Sequence, residues 1–481
     1  MSILISAQKS YKNQGYYILL KLDDKAVIGI VTPENGQRAL ALRWLQLGVL
    51  ALGLAGLFAI LLVLSRTPGS EAFFPWVDFF RTALVVHVDQ SVLIWFLAMT
   101  GVVWCLTATS KSGLLLVQSL AYLLALIGTL GVALSAFIGD GAPLMNNYVP
   151  VLQRPIFFLM LGLFGLGIVA QAVVSLNATR GSLRFNTTHL PSLAALTVAL
   201  AVIMSIIALV IAWLQMPVGV DGQAYYEYLF WGAGHTLQFA YTQLIILAWL
   251  WLAVHSGVAL PGDSRWYFWL LIIGIAPVLL VPLIYVLHQT VSLESRAAFT
   301  QLMQYGGGLA VTPIGILILL GLIRSNKAVE REKPLRRTLW MSMLLFFSGG
   351  AIALFISGVN TIIPAHYHGS IVGVTMGLMG LAYLVLPKLG YSPVRGRMAE
   401  LQPWIYGIGQ LLHIGGLAAS GAMGIQRKTA GAAQGLDTLS AKLAMGVMGI
   451  GGLLAVIGGI LFVWIMLRIF IQGSNRIETS V

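Results

Sequence analysis

Charge is what this sequence has least of. Asp, Glu, Lys and Arg make up 9% of its 481 residues, where soluble domains carry roughly a quarter, so a water-facing globule of this length is excluded. Cysteine is almost absent. Cys105 is the only one and lies in an apolar run, which excludes disulfides, thiolate metal sites and a Cys-x-x-Cys-His heme attachment. Acids are outnumbered by bases, 16 to 28, yet no basic face is interleaved with aromatics, so nucleic acid is not expected as a partner. No fixed-period repeat is evident. No short apolar run with a small-residue cleavage site opens the chain, so no signal peptide is expected.

What fills the sequence instead is apolar length, at 58% hydrophobic residues. Twelve windows long enough to cross ~30 Å of hydrocarbon fall at 41–64, 81–107, 113–139, 155–177, 191–214, 227–253, 266–292, 298–323, 338–360, 364–387, 402–424 and 440–470. The expected fold is an all-α membrane protein of twelve transmembrane helices, embedded in a lipid bilayer. Its organisation reads as a segment at 1–40, a membrane domain at 41–470 and a tail at 471–481. Tyr16 to Val31 alternates around Asp23-Asp24-Lys25 and predicts a small hairpin. Gly306-Gly307-Gly308 in span eight is able to unwind a helix. With the N-terminus inside, 21 of the 28 Lys and Arg lie on that side and 7 on the other. The positive-inside rule then places both termini in the cytoplasm.

That topology orders the histidines. His87, His235, His366 and His368 lie a few residues into even-numbered spans, and His288 lies four residues before the end of span seven. At 1.5 Å per residue all five are ~3–12 Å below the outer surface. Neutral imidazole is the commonest metal ligand, and bundles build such sites in their interiors, so a metal or heme site is expected in that layer. The structural alternative is a set of unconnected histidines bonded to backbone. His366 and His368 are two positions apart, ~200° on a helix. They cannot share a ligand, but each can hold one of two centres flanking span ten. His413 falls near mid-membrane, and His189 and His255 fall in or beside inner loops.

Three stretches carry a resemblance: Arg81-Thr-Ala-Leu-Val-Val-His87 opening span two, Phe230-Trp231-Gly-Ala-Gly-His235 in span six, and His366-Tyr-His368 opening span ten. In this order the chain resembles the catalytic subunit of heme-copper oxygen reductases and nitric oxide reductases. The resemblance covers all twelve spans. It implies two hemes, b-type as the first expectation, and one nonheme metal, copper or iron. His87 and His368 would be the axial ligands of a low-spin heme and His366 the proximal ligand of a high-spin heme. His235 and His288 would hold the nonheme metal. The resemblance also implies a subunit II-like partner that admits electrons (a cupredoxin or cytochrome c), NO or O2 as substrate, and the prokaryotic inner (plasma) membrane as location.

The chain departs from that pattern twice. Family members usually carry adjacent histidines on span seven, whereas this chain reads Leu287-His288-Gln289. Gln289 offers an amide oxygen and Glu294 a carboxylate, a harder donor set that suits iron better than copper. Many oxygen reductases have a tyrosine one turn after the span-six histidine. Position 239 is Phe239, and the glutamate of the better-known NO reductases is missing there too, which leaves Gln238 as a nearby polar group. Tyr285, one turn before His288, is a candidate replacement phenol. Loss of that phenol hurts O2 reduction more than the two-electron coupling of NO to N2O, so NO is the favoured substrate. A cytochrome c or quinol oxidase is the alternative.

Arg81 is a candidate partner for heme propionates, Asp89 for a heme edge, and Glu227 for proton transfer from outside. Ser205, Tyr241, Thr242, Gln301, Gln304 and Thr312 are candidates for a hydroxyl route from inside or for helix-packing contacts. The competing class is a twelve-span secondary transporter with histidine proton relays. The missing repeats and the off-centre histidines count against it.

Overall fold

An apolar run without water must satisfy its backbone within itself, and a helix does so in one segment. The computed structural model describes residues 29–30, 33–64, 79–108, 114–180, 190–326, 328–427 and 436–473, and these form twelve helical rods. They are α1 (Asn35–Leu64), α2 (Phe79–Thr107), α3 (Leu115–Leu134), α4 (Pro155–Arg180), α5 (Leu190–Leu214), α6 (Gly222–His255), α7 (Ser264–Leu287), α8 (Leu293–Arg324), α9 (Lys333–Ala353), α10 (Ile362–Leu389), α11 (Arg397–Ala422) and α12 (Leu439–Gln472). Ten are long and apolar enough to cross a membrane. The other two, α9 and α11, open on charges, and Arg337 of α9 pairs with Glu400 of α11 at 2.8 Å. The hairpin expected at Tyr16–Val31 lies almost wholly outside the described residues.

Expected and observed boundaries differ where local chemistry outweighs hydropathy. Span seven ends at Leu287 and not at 292. Around Pro277 the rod tightens into a 3-10 stretch, Ala276–Leu280, and His288 itself adopts extended backbone (φ −137, ψ 134). Ser292 then caps α8, its hydroxyl accepting from the Ser295 N–H at 3.0 Å, so the chain turns within four residues. His288 therefore lies past its helix and not inside it. The glycine triplet does not unwind α8: Gly307 keeps helical dihedrals (φ −62, ψ −28) between Gly306 and Gly308.

Two features position the functional layer. In α2, residues Asp89–Ile94 form a π-helical stretch that begins two residues after His87. Between α3 and α4 the chain makes a short antiparallel hairpin, β1 (Pro143–Leu144) with β2 (Val151–Leu152), in register Pro143↔Leu152 and Leu144↔Val151. Its base is held by Arg154, whose guanidinium donates to the carbonyls of Ser135 at 2.6 Å and Gly141 at 3.3 Å. Asn146 closes the turn by donating to the Val149 carbonyl.

Without a hydrophobic drive inside lipid, helices associate through close packing of small residues. At Gly349 of α9 a Cβ would strike the backbone of Gly369 and Ser370 of α10, so these two rods touch main chain to main chain. Gly349→Val should force them apart at a cost of about 1–3 kcal/mol. A lowered unfolding midpoint of the detergent-solubilised protein, with reduced yield, is the expected outcome.

Candidate functional site

One hydrogen-bond pattern recurs at the site histidines. His87 Nδ1 lies 2.9 Å from the Ala55 carbonyl of α1, and His366 Nδ1 lies 2.8 Å from the Gly349 carbonyl of α9. His413 Nδ1 lies 3.0 Å from the Met448 carbonyl of α12. A carbonyl only accepts, so each Nδ1 carries the proton and each Nε2 keeps its lone pair. An imidazole fixed in this way is a ready ligand, since the second ring nitrogen sets both tautomer and orientation.

The two histidines of α10 face different surroundings. His366 is bound to α9 through Gly349. His368 has its ring 4.9 Å from that of His413 on α11, and His87 of α2 is within electrostatic reach of it. His87, His366 and His368 all keep part of their surface open although His87 and His368 lie deep in the bundle. None of the three is sealed completely by its neighbours. Partly open imidazoles, with Nε2 left free at His87 and His366, fit heme axial ligation. His413 was not singled out by sequence reasoning. Its depth from the ends of span eleven hid the fact that α11 brings it beside His368.

His235 is held differently. Its Nδ1 lies 2.8 Å from the Trp231 carbonyl one turn back, and its Nε2 lies 2.9 Å from the Tyr148 hydroxyl. With the Nδ1 proton engaged, the phenol is the donor and Nε2 the acceptor. Tyr148 stands at the tip of the β1–β2 hairpin. Gly234 makes room for it, because a Cβ there would run into the Tyr148 ring. Around the imidazole lie Tyr148 at 4.7 Å, Trp231 at 4.8 Å and Phe299 at 6.2 Å between ring centroids, and His235 is 4% exposed.

The neighbouring loop residue ties this arrangement down. Asn147 donates from its backbone to Glu227 at 3.0 Å and from its side-chain amide to the same carboxylate. Its amide oxygen accepts from Arg427 at 2.7 Å. Arg296 completes the group, 3.8 Å from Glu227 and stacked 4.4 Å over the Trp231 ring. Glu227, a candidate for proton transfer from outside, holds the loop that carries Tyr148. Arg427 also acts electrostatically on Tyr367, between the two α10 histidines. It is a cation over that layer which sequence reasoning missed.

The remaining expected residues scatter. His288 is half-exposed beyond α7, while Gln289 and Glu294 are exposed. Gln238 is half-buried and Arg81 exposed. Asp89 is buried at 1% exposure, with neither carboxylate oxygen hydrogen-bonded among the described residues. Tyr285 is buried with its hydroxyl unbonded among the described residues. That hydroxyl lies against Gly232, where a Cβ would meet it and Phe299. Phe239 is fully buried. Two of the proposed proton-route hydroxyls bond backbone carbonyls instead, Ser205 to Ala233 and Thr242 to Phe239, which is the packing role.

Among the described residues no three His, Cys, Asp or Glu converge to hold a metal ion. Of the donors expected for a nonheme metal, His235 has both nitrogens engaged, and Gln289 and Glu294 are exposed. The residues present fit two hemes and do not fit the second metal.

Comparison with known proteins agrees with the bundle. A family model described as cytochrome c and quinol oxidase polypeptide I matches residues 39–464. An uncharacterized protein of Rickettsia prowazekii is 31% identical over 501 residues, covering 90% of this chain and 96% of that protein. An uncharacterized protein of Aquifex aeolicus is 31% identical over 362 residues, covering 75% of this chain and 88% of that protein. A cryo-EM structure of a heme-copper terminal oxidase dimer is similar in fold, with TM-score 0.64, 17% identity, and coverage of 91% of this chain and 83% of that one.

Asn147→Ala removes the side-chain bonds to Glu227 and Arg427 while keeping the backbone N–H that also donates to Glu227, a loss of about 0.5–1.5 kcal/mol per bond at this exposed site. Hydrogen exchange of the 143–152 hairpin should accelerate at least tenfold in this variant, measured by mass spectrometry, while exchange in α10 stays unchanged.

Proposed function

This chain belongs to the cytochrome c and quinol oxidase polypeptide I family, the heme-copper oxidase subunit I superfamily, and from that premise we propose that it is the catalytic subunit of a respiratory terminal reductase acting on a small diatomic gas. Members of the family generally bind two hemes and a nonheme metal and act as oxidoreductases. His87 and His368 would hold a low-spin heme, and His366 would hold the heme at which the gas reacts. The observation that carries the proposal is the division of α10: His366 is anchored on α9 through Gly349, while His368 stands against His413 with His87 nearby. One rod thus offers lone pairs to two centres with a single residue between them.

Bound hemes would supply one-electron chemistry and a coordination site for the gas. The chain's own part is to orient the imidazoles through backbone carbonyls and to exclude water with a layer of aromatic rings around His235. The 21-to-7 distribution of Lys and Arg supports a cytoplasmic side for both termini, and the prokaryotic inner membrane is the location that the family resemblance implies. Electrons then come from the outer side, from a cupredoxin, a cytochrome c or a partner subunit bearing such a centre.

NO is favoured over O2. Reducing O2 to water takes four electrons at one site, whereas coupling two NO molecules to N2O takes two. The donor set, with two heme positions and no second-metal shell assembled among the described residues, supports the smaller demand, and Phe239 leaves α6 without a phenol at the turn after His235. A second reading, O2 reduction by a cytochrome c or quinol oxidase, is supported by the two phenols that reach α6 from elsewhere, Tyr148 and Tyr285.

A reduced-minus-oxidised spectrum of the purified protein should show two hemes. His87→Ala and His368→Ala should each remove the low-spin signal, His366→Ala should remove the high-spin one, and His413→Ala should retain both. A purified protein lacking heme overturns the proposal. Consumption of NO at a rate above that of O2 under a common reduced donor is the expected substrate result.

A further inference from the structure

His235 stands in the same layer as His366. Ile245 of α6 and Gly377 of α10 are in contact range, and counting from there toward the N-terminal ends, His235 is ten residues up and His366 eleven. At 1.5 Å per residue both are ~15–16 Å above the contact. Equal depth makes the imidazole on α6 the candidate to oppose whatever His366 holds. In the wider family that opposing place belongs to a metal, and in this chain it is already filled by protein.

Three independent features fill it. First, neither nitrogen of His235 is available: Nδ1 is engaged by the Trp231 carbonyl at 2.8 Å and Nε2 by the Tyr148 hydroxyl at 2.9 Å. Two donors sharing one tetrahedral ion at ~2.0–2.1 Å would stand ~3.3 Å apart, so 2.9 Å suits a proton between them and leaves no place for a metal. Second, no shell gathers round it: among the described residues no three His, Cys, Asp or Glu group to hold a metal ion, and Gln289 and Glu294 are exposed. Third, the sequence provides for the phenol. Gly234 clears the volume that the Tyr148 ring occupies, and Asn147, one residue before it, is fixed from both sides by Glu227 and Arg427.

We propose that a hydrogen-bonded Tyr148–His235 pair replaces the nonheme metal in this chain, which therefore carries two hemes and no second metal, with the Tyr148 phenol as the polar group facing the gas. This rests on the heme assignment above. Glu227 and Asn147 are positioning residues for the phenol. The Tyr148 oxygen keeps lone pairs beyond the proton it shares with His235, and a rotation of the hydroxyl turns its hydrogen from Nε2 toward a ligand.

The test combines metal counting with a ligand probe on the purified full chain. Heme determined chemically and iron determined by mass spectrometry should both give two per chain, with copper far below one per chain, and His235→Ala should leave these ratios unchanged. One copper or one extra iron per chain that disappears in His235→Ala overturns the proposal while leaving the heme reading intact, whereas a chain without heme overturns both. Carbon monoxide bound to the reduced protein reports the phenol. Its infrared stretch should shift in Tyr148→Phe and, to a smaller degree, in Glu227→Gln. An unchanged stretch in Tyr148→Phe, with both hemes present, overturns the phenol as the group facing the gas.

Discussion

The hydrogen bond from an imidazole Nδ1 to a helix carbonyl is the interaction on which the interior of this bundle depends. It occurs at His87, His366 and His413 with partners on neighbouring helices, and at His235 and His255 with the carbonyl one turn earlier on the same helix. In the first three it joins two rods and fixes a tautomer at once. Inside lipid an unsatisfied N–H is costly, so the bond resists rearrangement and the opposite nitrogen keeps its direction. Where the opposite nitrogen looks into open space, the ring is prepared for an external ligand. At His235 it looks into a phenol, and the preparation is for a proton instead.

This difference follows from the loop between α3 and α4. A hairpin of two residue pairs has little stability of its own, and its placement comes from polar contacts at both ends: Arg154 at the base, Asn147 at the tip. Those contacts are drawn from helices distant in sequence, Glu227 on α6 and Arg427 beyond α11. The hairpin is in effect a stopper held by the outer ends of the bundle, and its inward face is the tyrosine.

Much of this was legible in the chain. The twelve apolar windows match twelve helical rods among the described residues, ten of them by hydropathy and length alone. The His-Tyr-His spacing gave two directions on one rod, and the rod has them. What hydropathy could not reveal was contact between segments far apart. Tyr148 sits in a polar loop with no periodic signal around it, and only Gly232 and Gly234 hinted that bulky groups press on α6 from outside. His413 is 45 residues from His368, and nothing local shows their rings together. His288 was misplaced because an apolar window does not register the helix cap at Ser292. Glu227 read as an acid near a membrane site, where in fact its charge has partners in Asn147 and Arg296.

The π-helical stretch lets α2 face two ways. Six residues, Asp89–Ile94, are wound with one more residue per turn-closing bond than an α-helix uses. The half of α2 before the stretch aims His87 at the carbonyl of Ala55, and the half after it aims Trp95 and Trp104 into the core, where Trp104 donates to Ala195 at 3.0 Å. A straight α-helix of the same sequence would have its second half out of phase with its first by roughly one residue, ~100° of rotation. The widened turn lets a single rod answer to two unrelated neighbours, so α2 behaves as two helices coupled by an angular gear rather than as one continuous surface.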